Sequence, residues 1–178
     1  MASEEVRTVA VRRHVIDTDS PFAEVLDGLY AGIGQPDLPA LFAKMAASTT
    51  YAEYRELIAE AAGGSGLLRF LHLDQGAALA KDPDPGEQAG RKLVRILAGN
   101  PVTMTRMTRH VPGIGSYVPV TILVEERAGG GTRVSYDTVA SSIAHHENAD
   151  ASAVADRLDA KVLDLVRRAT GVTEARPV

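Results

Sequence analysis

The chain predicts an α+β fold, an antiparallel sheet with helices packed on one side. Three observations carry this reading. Residues 117–127 (YVPVTILVEER) and 132–137 (TRVSYD) are valine-rich strands joined by the glycine-rich hairpin turn 128–131. Apolar residues recur at three- and four-residue spacing from Phe22 to Tyr30 and from Val154 to Val166, as on amphipathic helices. The mostly apolar run 67–73 (LLRFLHL) has the length and composition of a central strand.

In chain order, residues 6–16 (VRTVAVRRHVI) predict the first strand, with Val9, Val11 and Val15 on one face. Residues 17–20 form a polar break. Ser20-Pro21 then starts a helix, serine as the cap and proline at the first helical position. That helix carries Phe22, Val25, Leu26, Leu29 and Tyr30 and ends near Gly32–Gly34. Residues 36–62 read as a helical insertion in two pieces. Leu38, Leu41, Phe42 and Met45 form one stripe, and Tyr54, Leu57, Ile58 and Ala61 the next, capped by Thr49 or Thr50. The glycines 63, 64 and 66 stop the second piece. After strand 67–73, Asp74-Gln75-Gly76 ends the run, residues 77–81 add a helical turn, and 82–87 (DPDPGE) form an exposed loop.

Residues 91–98 (RKLVRILA) fit helix or strand by periodicity alone. Gly99-Asn100-Pro101 repeats the cap-plus-proline pattern and predicts a short helix to about His110. On it Met104, Met107 and Val111 face the core, with Thr103, Arg106 and His110 on another face. Val120, Ile122 and Val124 share one face of the next strand, as do Val134 and Tyr136 on its partner. A final helix, capped near Ser152, runs through Arg168 with Val154, Leu158, Val162, Leu165 and Val166 inward.

Length and composition bound the function. A chain of 178 residues, 45% hydrophobic and 24% charged, is expected to form one domain over 1–178. At this size folding buries roughly two-thirds of the surface that the unfolded chain exposes. A net charge of −4 argues against general nucleic-acid binding, which leaves a basic footprint. With no cysteine there is no disulfide, thiolate metal site or thiol nucleophile. The start MASEEVR is not a secretory signal, and no stretch approaches the roughly 20 apolar residues of a membrane span. The expectation is a soluble cytoplasmic protein without nucleic-acid or membrane partners.

Several motifs together resemble one family. Gly99-Asn100-Pro101, Met107-Thr108-Arg109-His110, Tyr117-x-Pro119 and Ser135-Tyr136-Asp137 look like the domain-of-unknown-function family 302 (DUF 302). Ser20-Pro21-Phe22, Gly64-x-Gly66 and Leu73-Asp74-x-Gly76 look like its longer bacterial version, so the resemblance spans about residues 7–170. It implies a curved antiparallel sheet backed by helices, similar to the TATA-binding-protein-like β-α-β(4)-α class, without implying DNA binding. The helices of 36–62 are an addition to that plan. It implies no activity, so no catalytic residue is carried over. Where the family often has Asp-His-Gly this chain reads Asp74-Gln75-Gly76, which removes that histidine.

The feature with most chemical content is charge segregation. From Gln88 to Val124 there is no acid, while Arg91, Lys92, Arg95, Arg106 and Arg109 are basic. Convergence of those side chains would concentrate positive potential. The Asn100-Pro101 helix start would add N–H groups worth about 0.3–1 kcal/mol toward an anion. The candidate ligand site for a carboxylate or phosphate comprises Asn100, Arg106, Arg109, His110, Asp74, Tyr117, Tyr136 and Asp137. The competing reading is a solvated basic face paired with acids such as Glu125 or Asp137. His110 is either a base or anion contact, or a cap on the last helical carbonyls. Tyr136 reads as a buried hydroxyl in need of a partner.

His145-His146 with Glu147 and Asp150 offers ligand-type side chains, but adjacent histidines on an extended loop point to opposite faces. No metal and no cofactor is expected. There is no G-x-S-x-G, and Gly113-Ile114-Gly115 and Gly129–Gly131 lack the strand–glycine–helix setting of a nucleotide motif. Glu125 and Glu126 lie on opposite strand faces. The leading function is therefore binding or sensing of an anionic small molecule. The alternatives are a hydrolase- or lyase-type enzyme pairing His110 with Asp74 or Asp137, and a non-catalytic homodimer.

Overall fold

In the computed structural model, described for residues 1–84, 86 and 89–173, the chain forms a five-stranded antiparallel sheet in the order β1-β5-β4-β3-β2. The strands are β1 (Arg13–Thr18), β2 (Leu68–Asp74), β3 (Leu93–Gly99), β4 (Val120–Glu126) and β5 (Thr132–Asp137). The main helices are α1 (Phe22–Gly32), α2 (Leu38–Ala47), α3 (Tyr51–Ala61), α5 (Pro101–Thr108) and α7 (Ala149–Thr170). Two short ones, α4 (Gln75–Leu79) and α6 (Val139–Ile143), follow β2 and β5. The predicted α+β class holds: β-α-β(4)-α, with α2 and α3 inserted between α1 and β2.

Alternation along the strands builds the main core. Val94, Ile96 and Ala98 of β3, Val120, Ile122 and Val124 of β4, and Val134 and Tyr136 of β5 are buried against α1 and α7. From the helices come Phe22, Val25 and Leu29, and Leu158, Val162, Leu165 and Val166. Burying a Val, Leu or Ile side chain stabilises by roughly 1.5–3 kcal/mol, so this stripe-on-sheet contact dominates the fold. A smaller cluster, Leu41, Ile58, Leu68 and Val102, ties the inserted helices to β2 and α5. The opposite sheet face, among the described residues, carries no helix over its centre and presents Val15, Leu71 and Leu73 to solvent, each more than a third exposed.

Several boundaries differ from expectation for local reasons. The first strand begins at Arg13, not residue 6, and takes Asp17 and Thr18 from the expected break. β5 offers only six partners, Arg13↔Asp137 through Thr18↔Thr132, so Val6 and Val11 have no ladder and stay exposed. Two bidentate pairs stitch that ladder, Arg13 to Asp137 (2.7 and 2.8 Å) and Arg133 to Asp17 (2.7 and 2.8 Å). Being solvent-exposed, such pairs add little to stability and mainly fix the register of the ladder.

β2 is an edge strand, not a central one. Its Leu71 and Leu73 face the open side of the sheet, and a bulge between Arg69 and Leu71 breaks its register with β3. Residues 91–98, ambiguous by periodicity, become β3 because pairing partners on both sides satisfy its backbone.

The caps divide similarly. Thr50 and Glu53 form a reciprocal capping box on α3, and Asp37 caps α2. Ser20 does not cap α1, whose N-cap is Pro21 without a side-chain bond; the Ser20 carbonyl instead accepts from Thr132 Oγ1 at 2.8 Å. Asn148, not Ser152, caps α7 by accepting from the Ala151 N–H. β4 begins at Val120, because 112–117 wind into a 3-10 turn ahead of a cis Val118–Pro119 bond. The loop expected at 82–87 lies partly outside the described residues, at 85 and 87, as does Gln88. Among the described residues no helix is long and apolar enough to cross a membrane.

One half-buried histidine is expected to give the fold a pH dependence. The His14 ring stacks on Tyr136, centroids 5.0 Å apart. Burial holds the His14 pKa below its ordinary 6.5, partly opposed by Asp159 and aided by Arg167 and Arg12. A depressed folded-state pKa means that stability is complete above 6.5 and declines as pH falls through the folded value. Urea unfolding at pH 7.5 and 5.5 is expected to show a weaker fold at the lower pH. A His14→Phe chain is expected to lose less over the same interval; an equal loss would assign the effect to other groups.

Candidate functional site

Two cavities flank the segment Val118–Pro119, which lines both. The first has a volume of 280 Å³ and lies where the inserted helices meet α5 and the end of the sheet. Phe42 and Met45 come from α2, Tyr54 from α3 and Phe70 from the β2 bulge. Met104 and Met107 come from α5, and Leu158 from α7. Among the described residues no charged side chain lines it.

Local chemistry places these walls. The register break puts one extra residue, Phe70, between Arg69 and Leu71, and its ring stacks on Phe42 at 6.5 Å. Gly99 has no side chain to hold the walls apart. A Cβ there would lie 3.0 Å from Pro119 Cβ and 3.5 Å from the Phe70 ring. Asn100 turns the chain into α5. Its Oδ1 accepts from the Val102 and Thr103 N–H groups (2.9 and 3.1 Å), and its Nδ2 donates to the Gly66 carbonyl (2.8 Å). The helix-start donors that an anion would use are therefore already occupied, which corrects the expected anion role of Asn100.

The second cavity is a groove of 580 Å³ on the sheet face opposite α1 and α7. Arg95, Leu97, Thr121, Leu123 and Ser135 form its floor on β3, β4 and β5. Ser116, Tyr117 and Ser142 line it further, and Arg13 and Asp137 stand in it as an ion pair. The Arg13 guanidinium, hydrogen-bonded to the Asp137 carboxylate, holds that acid below its ordinary pKa.

The eight expected site residues do not assemble into one site. Tyr117, Tyr136 and Asp137 line the groove, and Asn100 lines the apolar cavity. Arg106, Arg109 and His110 are exposed and line neither. Asp74 caps α4 by accepting from the Ala77 N–H at 2.8 Å. No hydrogen bond among the described residues joins His110 to Asp74 or Asp137, and the His110 ring makes none, so it caps no carbonyl. The basic segment also disperses: Lys92 pairs with Glu126 (3.5 Å) while Arg95 lies in the groove.

Tyr136 is buried at 2% exposure, and its hydroxyl has no partner among the described residues. Burial pushes its pKa far above the usual tyrosine value. A phenol held that firmly protonated is poorly suited to act as a base near neutral pH. His145 and His146 sit in a 3-10 turn, Ala144–His146, not an extended loop, and their rings are 3.9 Å apart against Tyr117. The turn geometry, not alternation, sets their direction. Among the described residues no group of three or more His, Cys, Asp or Glu side chains could hold a metal ion.

Sequence reasoning missed the walls of the apolar cavity. Phe42, Tyr54, Met104 and Leu158 read as ordinary core positions on four separate helices, and no local signal says that their stripes leave a space between them. Arg95 was visible as one charge of five, and only its position on the open face sets it apart.

The family model for "Domain of unknown function DUF302" matches residues 43–168, from α2 into α7. No curated protein matches the chain. A crystal structure of an uncharacterized conserved DUF302 protein from Bacillus stearothermophilus shares its fold, with a TM-score of 0.59 at 11% identity. The likeness covers 88% of this chain and 97% of that one.

Proposed function

Starting from a chain that belongs to the DUF302 family, a domain of unknown function, we propose that it binds a small apolar organic molecule in the cavity between α2, α3 and α5. One observation carries this reading: the size and lining of that cavity. At 280 Å³ it exceeds the roughly 150 Å³ of an engineered apolar cavity that takes up benzene. Its methionines can re-pack around ligands of different outline, and Phe42 and Phe70 offer flat ring faces. Its one amide side chain, Asn100, is already bonded to backbone groups, so shape and dispersion select the ligand.

The test is a titration of the wild-type chain with indole, followed by NMR at the Met104 and Met107 methyl groups and at the Phe42 ring. Saturable shifts confined to these residues are expected. A Met104→Trp variant, which fills the cavity from α5, is expected to bind about tenfold more weakly or not at all while remaining folded. Shifts scattered over the surface, or equal binding by the variant, would sink the reading. A second reading, self-association through the open sheet face, is favoured by the exposed Leu71, Leu73 and Val15 on that face.

A further inference from the structure

We propose that the groove on the open sheet face is a second, independent site that takes a small organic carboxylate, with Arg95 as its cationic anchor. Arg95 is half-buried on β3, and its Nε is shut off from water with no hydrogen-bond acceptor. Its Nη2 donates to Thr121 Oγ1 at 3.3 Å, a long bond to a neutral group. No carboxylate among the described residues pairs with it. A partly desolvated guanidinium without a counter-charge is an arrangement that proteins rarely leave uncompensated.

The other charges in the groove do not supply that compensation. Asp137 is engaged by Arg13 through both carboxylate oxygens, at 2.7 and 2.8 Å, so that pair is neutral together. The groove therefore carries one net positive charge, from Arg95. Leu123 stands directly across from it on β4, and Leu73 on β2. The anchor is thus set among apolar side chains, where an ion pair is screened less than at the open surface. The planar guanidinium fork suits a carboxylate, and the flanking leucines suit an apolar body attached to it. A volume of 580 Å³ leaves room for both.

Benzoate and benzamide separate charge from shape, since the two differ little except in the anion. Titrated into the full chain by NMR, benzoate is expected to give saturable shifts at Thr121, Leu123 and Ser135, and benzamide is expected to give none there. Arg95→Met, which keeps an apolar stem, is expected to weaken benzoate by about tenfold or more. Arg106→Ala, a charge removed outside the groove, is expected to leave it unchanged. Should Arg95→Met misfold, Leu123→Glu places a carboxylate opposite Arg95 and is expected to block benzoate in the same way.

Four results would overturn the proposal. They are equal response to benzamide, benzoate binding unaffected by both groove variants, shifts located elsewhere, and a dimer in sedimentation that covers the groove and excludes benzoate. Indole binding in the apolar cavity is read by different nuclei, so either site can fail without the other.

Discussion

A Gly34→Ala chain is expected to lose about 3 kcal/mol of stability, at the upper end of overpacking costs. At Gly34 the backbone leaves α1 for the inserted helices, and at Gly63 it returns. The two glycines lie against each other. A Cβ on Gly34 would sit 2.0 Å from the Ala61 carbonyl oxygen and 2.7 Å from the Gly63 nitrogen. Both obstacles are backbone, so no rotamer change can relieve them.

The surrounding hydrogen bonds forbid a backbone shift as well. The Gly34 and Gly63 N–H groups both donate to the Leu67 carbonyl (2.9 and 3.2 Å), and the Arg69 N–H donates to the Gly34 carbonyl (2.9 Å). Urea denaturation would read the loss, and thermal melting would show a drop of roughly 10 °C for a domain this size. A loss under about 1 kcal/mol would mean that the clasp is looser than its distances imply. Because the clasp roots α2 and α3, the variant is also expected to lose indole binding.

Asn100→Ala is expected to be the next most damaging single change considered, at about 2–3 kcal/mol. Loss of an N-cap side chain alone costs roughly 0.5–2 kcal/mol. Here the same amide also donates to the Gly66 carbonyl, joining the start of α5 to the loop after α3. Leaving that carbonyl unpaired adds a further cost of about 1 kcal/mol. Asn100→Asp separates the two contributions. It keeps the acceptor for the Val102 and Thr103 N–H groups and loses only the donor to Gly66. Aspartate is therefore expected to recover about half of the loss in equilibrium unfolding. Recovery of all of it would show the Gly66 bond to be dispensable.

These two positions show how unevenly the molecule is legible. The asparagine-proline start of α5 is a local rule, and the sequence pattern located both the helix and its cap. Ser20-Pro21 likewise marks the start of α1 at Phe22, but its serine does not cap the helix. The Ser20 hydroxyl accepts from Thr18 Oγ1 at 3.2 Å and its carbonyl from Thr132 on β5, a partner 112 residues away. The β4–β5 hairpin was readable because alternation and the glycine turn act over a few residues. The register of β1 was not, since the six residues of β5 decide how much of the valine-rich N-terminal segment can pair.

The stretch from β3 to β5 remains the organising centre, with a changed role. Its basic residues would form one positive patch only if their side chains converged, and Lys92, Arg95, Arg106 and Arg109 follow the competing reading and stay apart. A strand sends alternate residues to opposite faces and a helix turns its own through 3.6 residues per turn, so nearness in sequence does not bring charges together. Arg95 stays on the open sheet face, while Arg106 and Arg109 follow α5 out to solvent.

By itself the sequence determined the α+β class, the family, the strands β4 and β5, the amphipathic helices α1 and α7, and the caps of α3 and α5. All of these rest on interactions between residues within a few positions of one another, or on a composition period that any single element must satisfy. Only the tertiary structure decided that β2 is an edge, that α1 and α7 cover one sheet face and leave the other open, and that Arg95 stands on that open face without a counter-charge among the described residues. It alone decided where side chains from α2, α3, α5 and α7 stop short of filling the space between them. Cavities and unpaired charges depend on the packing of distant segments, and no local pattern records them.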